Sequence, residues 1–230
     1  MQISFYGAAD TVTGSRHLVR IGDQSILLDC GMFQGFKVLR ERNWAPPAFD
    51  VRSLDAVVLS HAHLDHSGYL PALVKQGFKG PVIASQGTRD LAEVLLLDSA
   101  HLQEEDARRA NRGGWSRHAP ALPLYGVADA KRAIARIQVL PAGRSLRFGD
   151  LTVDLTPGGH LLGASWVGLR AGGRRLVFSG DLGRDDDLLM PPPQRIARAD
   201  VLLVESTYGN RVHPPEDPQQ ALGAIVRATL

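Results

Sequence analysis

Three histidines and an aspartate fall within six positions, His61-Ala62-His63-Leu64-Asp65-His66, directly after the apolar run Ala56-Val57-Val58-Leu59. The run reads as a buried strand, and Tyr69 to Gln76 reads as a short helix stopped by Gly77. The cluster therefore sits in a loop at the C-terminal end of a strand, where polar side chains converge without being buried unpaired. A solvent-facing polar loop is the bland alternative. Imidazole and carboxylate at this spacing are instead the donor set of a metal site, most suited to zinc.

Each zinc takes about four ligands, and a catalytic zinc keeps one position for water, so four residues do not complete two sites. The chain holds a single cysteine, Cys30, which excludes an internal disulfide and a cysteine-rich zinc module. Further donors must be histidine or carboxylate. His160, in Thr156-Pro157-Gly158-Gly159-His160, and Asp181, in Phe178-Ser179-Gly180-Asp181, each follow a strand-like run. The glycines beside them permit the sharp turn that would bring a short side chain to an ion. Either residue alone reads as an ordinary turn residue; together with the first cluster they read as ligands.

The elements around these motifs alternate in a way that fixes the fold class. Ile3 to Tyr6, His17 to Ile21 and Ser25 to Leu28 are strand-like, the last two closed by Gly22-Asp23, and predict a small antiparallel sheet. Val82 to Ala84 is a further strand, Thr88 is the expected N-cap of a helix through about Ala110, and Ala128 to Ile137 is a second amphipathic helix. From Val139 onward short strands separated by Gly-rich turns predict another sheet, ending at Val201 to Val204, with a helix over Gln219 to Ala228 after Pro214-Pro215. Two sheets covering each other's apolar faces, with helices outside, give an α/β fold, an αββα sandwich of two mixed sheets with outer helices. At 230 residues with 44% hydrophobic and 22% charged content, one sizeable domain is expected. No apolar run spans a bilayer and no signal segment opens the chain, so the expected location is cytoplasmic, with no membrane partner. The net charge of +2 announces no polyanion binder. The arginines at 108, 109, 112, 170, 174 and 175 read as solvated helix and hairpin surface.

The order His-Ala-His-Leu-Asp-His, then Gly-Gly-His160, then Ser-Gly-Asp181, each at a strand end, resembles the metallo-β-lactamase superfamily. Asp29, in Leu27-Leu28-Asp29-Cys30-Gly31, is similar to that family's first motif, an aspartate supporting the metal loop. The resemblance implies that His61, His63 and His160 hold one metal, Asp65 and His66 the second, and Asp181 bridges them. The family's further histidine has no counterpart here; His213 follows a proline-flanked loop, and no later strand presents a histidine. A narrower resemblance, carried by Gly7-Ala8-Ala9, Thr13-Gly14-Ser15, Asp29 to Gly35 and Val204 to Arg211, is to the β-CASP branch of RNA-processing nucleases. It implies that Glu205 is the acidic residue of the first β-CASP motif. Residues 1–208 would be the metallo-β-lactamase domain and 209–230 the incomplete start of the cap domain. The acidic stretch Asp98 to Asp106 reads as helix surface or a face toward that cap.

These motifs lead to one expectation and two rivals. The expected function is a metal-dependent ribonuclease with two zinc ions, in which Asp65 and Asp181 position a water, with RNA as partner beside a cap domain or a second copy; the resemblance implies that Glu205 orients a histidine that protonates the leaving oxygen, a histidine absent from this sequence. The rivals are a thioesterase or lactonase of the same superfamily, and a non-catalytic metal-binding fragment that pairs with another chain.

Overall fold

The computed structural model describes residues 1–212 and 217–230; His213 lies outside the described residues. Strands β1 (Gln2–Gly7), β2 (Arg16–Ile21), β3 (Gln24–Leu28), β4 (Ala56–Val58), β5 (Val82–Ala84) and β6 (Ile137–Val139) form one sheet in that order. β7 (Ser145–Phe148), β8 (Leu151–Pro157), β9 (Ser165–Ala171), β10 (Arg174–Phe178) and β11 (Val201–Leu203) form the other, ordered β11-β10-β9-β8-β7. The helices are α1 (Lys37–Glu41), α2 (Leu64–Ser67), α3 (Leu70–Lys75), α4 (Gln86–Gly113), α5 (Val127–Ile134) and α6 (Pro218–Thr229). None among the described residues is long and apolar enough to cross a membrane.

Both sheets are mixed. β1, β2 and β3 are antiparallel, as the Gly22-Asp23 turn requires, but they do not form a sheet of their own, because β3 continues in parallel pairing with β4. The long connection from Asp29 to Asp55 allows that crossover, and β4-β5-β6 extend it in parallel. The second sheet is antiparallel except for β11, which runs parallel to β10.

Alternation along the strands divides the core in two. Ile26, Leu28, Val58 and Ile83 face Leu155, Val167, Leu169 and Leu176 between the sheets. Leu27, Val57, Leu59 and Val82 point the other way and bury against Leu70, Leu73, Leu96 and Tyr125 beneath the helices. Each such fully buried leucine or valine contributes about 1.5–3 kcal/mol relative to exposure. The outer face of the second sheet is crossed by the irregular stretch before β11, whose Gln194 carbonyl accepts from Trp166 Nε1 at 2.9 Å.

Two helix boundaries differ from expectation. The N-cap of α4 is Ser85, whose Oγ accepts from Thr88 N at 3.1 Å, so Thr88 is already inside the first turn. α5 stops at Ile134, and Ile137 enters β6, where pairing with Val82 buries it. A short apolar run completes an edge strand there rather than extending a helix. In the acidic stretch, Glu105 pairs with Arg108 on the surface as expected, whereas Glu104 accepts from Val127 N at 2.8 Å at the start of α5. Arg170 and Arg175 both pair with Asp154.

Candidate metal centre

The connections after β4, β8 and β10 bring His61, His63, His160 and Asp181 together, with one ligand atom from each lying within 4.8 Å of all the others. His63 Nδ1 lies 3.1 Å from His61 Nε2 and 3.2 Å from His160 Nε2. Donors placed about 2.05 Å from a common centre at tetrahedral angles would be about 3.3 Å apart, so both separations are those of donors to one ion. Asp181 Oδ2 stands 3.8 Å from His61 Nε2 and 3.7 Å from His160 Nε2. The other oxygen, Oδ1, lies 3.3 Å from His66 Nε2, and Asp65 Oδ2 lies 3.6 Å from that same nitrogen. All six histidine and aspartate positions singled out in the sequence thus converge, in two groups on either side of the Asp181 carboxylate.

The loop carrying His61 to His66 is held from beneath by main-chain bonds. Ser15 N donates to Asp65 O at 2.8 Å, Cys30 N to His66 O at 2.7 Å, and Met32 N to Leu64 O at 2.8 Å. Gly31 makes this approach feasible, since a Cβ there would lie 1.6 Å from Asp65 O. Arg16 braces the same strand end from within, its Nε donating to Gly31 O at 2.7 Å while its guanidinium stacks 3.7 Å from the Tyr69 ring.

Asp29 is fully buried and is the hub of the supporting network. Its Oδ1 accepts from Ser60 N at 2.7 Å. Its Oδ2 accepts from Ser60 Oγ at 2.9 Å, Ser15 Oγ at 3.1 Å and His66 Nδ1 at 2.7 Å. These bonds settle two tautomers. With its hydroxyl proton given to Asp29, Ser60 Oγ must accept from His61 Nδ1 at 3.0 Å, which leaves His61 Nε2 bare and facing the cluster. His66 gives Nδ1–H to Asp29 and turns Nε2 to Asp65 and Asp181. Asp29 holds φ +57, an uncommon conformation for a residue with a side chain but one that aspartate tolerates.

The electrostatics divide the two groups. Burial, then the neighbouring His66, pushes His61 well below its usual value. Burial and then His160 lower His63. Both are thus neutral imidazoles, the form that binds a metal. His66 goes the other way: burial opposes its charge, but Asp29 and the hydrogen bonds to Asp181 and Asp29 outweigh this and raise it to about 10. Asp181, despite burial, is held down at about 2 chiefly by its hydrogen bond to His66.

Glu205 reaches the same rim from the end of β11. Its N–H donates to Ser179 Oγ at 3.0 Å and its Oε2 accepts from Thr207 N at 3.0 Å. Glu205, Asp181 and His66 line one cavity of about 660 Å³. Sequence reasoning missed Ser15, Ser60 and Gly183 as parts of the site. A Cβ at Gly183 would lie 2.1 Å from Gly159 O, so this glycine lets the His160 turn close. Its only signal was a second glycine soon after Ser179-Gly180-Asp181.

Residues 11–229 match the family model described as the metallo-beta-lactamase superfamily. Among curated relatives, Ribonuclease TTHA0252 of Thermus thermophilus is 41% identical over 94% of this chain and 46% of its own length. The transcription termination factor FttA of Lokiarchaeum is 30% identical over 93% of this chain and 32% of its own. Endoribonuclease ysh1 of Aspergillus fumigatus is 27% identical over 96% of this chain and 25% of its own. The chain thus spans between a quarter and about half the length of these relatives. A solved structure of a protein of unknown function from Enterococcus faecalis V583 shares the fold, with TM-score 0.57 and 19% identity over 98% of this chain and 56% of that one.

Proposed function

This chain belongs to the metallo-β-lactamase superfamily, and from that premise we propose that it is the hydrolytic core of a ribonuclease of the β-CASP branch, using two zinc ions to cleave RNA phosphodiester bonds. The observation that carries the reading is the Asp181 carboxylate, one oxygen toward His61 and His160 and the other toward His66. Three of the curated relatives it resembles are named as a ribonuclease, a transcription termination factor and an endoribonuclease, which supports a nucleic-acid phosphodiester over a thioester or lactone.

In this reading His61, His63 and His160 would hold one zinc, Asp65 and His66 the other, with Asp181 between them. The donor set fits: His61 and His63 are neutral imidazoles, Asp181 is ionised, and the buried Asp29 orients His66. When bound, the ions supply hydroxide at neutral pH and positive charge beside the reacting phosphorus. The chain's own residues do the rest. Asp29 and Ser60 fix which ring nitrogens face the site, Asp65 and Asp181 accept the proton-bearing side of the attacking water, and Glu205 handles a proton at the cavity rim. Residues 1–208 form the hydrolytic domain, and 209–230 lead toward the cap. The exposed Leu222, Ile225 and Val226 of α6 offer the face that the cap or a second copy would cover.

The test is metal content by elemental analysis on protein purified without chelator, with cleavage of an end-labelled single-stranded RNA and of an acyl thioester. Close to two zinc per chain with RNA cut, both lost in His63→Ala, is the expected result. Thioester turnover without RNA cleavage would replace this reading with the small-molecule one.

A further inference from the structure

The cavity beside Asp181 and His66 has a composition that the phosphate chemistry does not explain. Its volume of about 660 Å³ lies within the roughly 300–1,000 Å³ range of small-molecule sites. Its walls carry apolar side chains left in solvent: Phe5 is 54% exposed, Val12 67%, Leu202 50% and Val204 59%. Among the described residues no lysine or arginine lines it, while three carboxylates do, those of Asp10, Asp181 and Glu205.

That charge pattern excludes one part of a nucleic acid and selects another. A cavity tracking the phosphate backbone would be cationic. Away from the end formed by His66 and the metal cluster, this one offers acceptors without a lysine or arginine. The part of an RNA strand that fits is flat, uncharged and rich in N–H donors. Deepening the ribonuclease reading, on which it rests, we propose that this cavity seats the nucleobase adjoining the scissile phosphate and prefers bases with an exocyclic amine.

Phe5 supplies the stacking surface. Its ring is already held edge-on by His17, with centroids 5.3 Å apart, and His17 is held in the same way against Phe178, at 5.2 Å. The exposed face is thus anchored to the core next to the metal cluster. Stacking on an aromatic ring is tolerant of base identity, so discrimination falls to the carboxylates. Adenine, cytosine and guanine present an exocyclic amine that a carboxylate accepts from, whereas uracil offers a single ring N–H flanked by two carbonyls that a carboxylate repels. Asp10 sits on the cavity wall in a left-handed conformation, φ +58, so asparagine can replace it without a backbone penalty.

The experiment is calorimetric titration of the zinc-loaded chain with AMP, UMP and inorganic phosphate, alongside cleavage of oligoadenylate and oligouridylate. AMP is expected to bind about fivefold or more tighter than UMP, and UMP tighter than phosphate. Phe5→Ala should weaken AMP about tenfold, Phe5→Trp should restore it, and Asp10→Asn should narrow the AMP-to-UMP ratio. AMP binding no tighter than phosphate, or unaffected by Phe5→Ala, overturns the inference even if RNA is cut. Base-dependent binding without RNA cleavage leaves the base site standing and sinks the ribonuclease reading.

Discussion

Asp29 Oδ2 lies 2.7 Å from His66 Nδ1, on the opposite side of the ring from Asp181, whose Oδ1 lies 3.3 Å from Nε2. His66 is therefore clamped between two carboxylates and, without metal, is protonated to about pH 10. An ion bound at Nε2 must displace that proton, so the affinity for the proposed second metal should climb about tenfold per pH unit through neutrality. Chelator-competition titrations from pH 6 to 9 read this directly. In Asp29→Asn the climb should flatten at lower pH, because the imidazolium loses its buried counter-charge. On that plateau the variant should still bind more weakly, by about tenfold or more, because the carboxylate no longer strengthens the ligand. Identical slopes in the two proteins would contradict the clamp.

The same clamp sets the stability of the metal-free chain. The folded value of His66 is raised from 6.5 to about 10, so its contribution is complete below pH 6.5 and is lost as the pH rises from there through about 10. For a nearly fully buried group the loss should be on the order of a few kcal/mol. Urea midpoints of the chelated protein should fall steadily from pH 7 to pH 10. A flat profile would mean that His66 is neutral in the folded metal-free state.

Gly183→Ala tests whether the His160 turn is set by close backbone packing. A Cβ there would lie 2.1 Å from Gly159 O and 2.8 Å from His160 N, and neither is the end of a flexible side chain. The expected cost is about 1–3 kcal/mol by thermal melting, with a drop in bound metal as His160 is displaced. Full metal occupancy would show that the turn can shift without moving the imidazole.

Glu205→Gln separates catalysis from structure. The amide keeps an oxygen to accept from Thr207 N, and the Ser179 contact is made by the backbone, so stability should change by less than about 0.5 kcal/mol. RNA cleavage should fall by at least about 10², the usual scale of a lost proton-transfer group. Retained activity would remove Glu205 from the proposed machinery.

The cluster was legible because strand ends can be read locally: an apolar run followed by a polar cluster gives both the element and the place where its side chains emerge. His61, His63, Asp65, His66, His160 and Asp181 were visible on that ground, and the resemblance set their grouping. The supporting layer was not. Asp29 was visible only through a family motif, and its partners Ser15, Ser60 and His66 lie 14, 31 and 37 positions away. Nothing in a serine's neighbours reveals such a bond. Where strands pair across long connections the local signal also fails, which is why the opening strands read as a separate antiparallel sheet although β3 passes into parallel pairing with β4. The start of α4 was misplaced for a smaller reason: Ser85 and Thr88 are both good caps and both donate to Gly163 O, 78 and 75 positions away, but Ser85 Oγ is the one that accepts from the helix, at Thr88 N.

Ser60 does more than orient His61. Its carbonyl accepts from Ser165 N at 2.9 Å, at the start of β9, and its Cβ would lie 2.6 Å from a Cβ at Gly180, at the end of β10. The loop after β4 is thereby bonded to the start of β9 and packed closely against the turn after β10, directly behind the histidine and aspartate cluster. The two halves of the sandwich share this seam with the site itself, so a metal ion drawn by ligands from both halves acts as a rivet through it. Chelation should then loosen the halves against each other before either unravels, with amide exchange rising first at the β4 and β9 ends nearest Ser60.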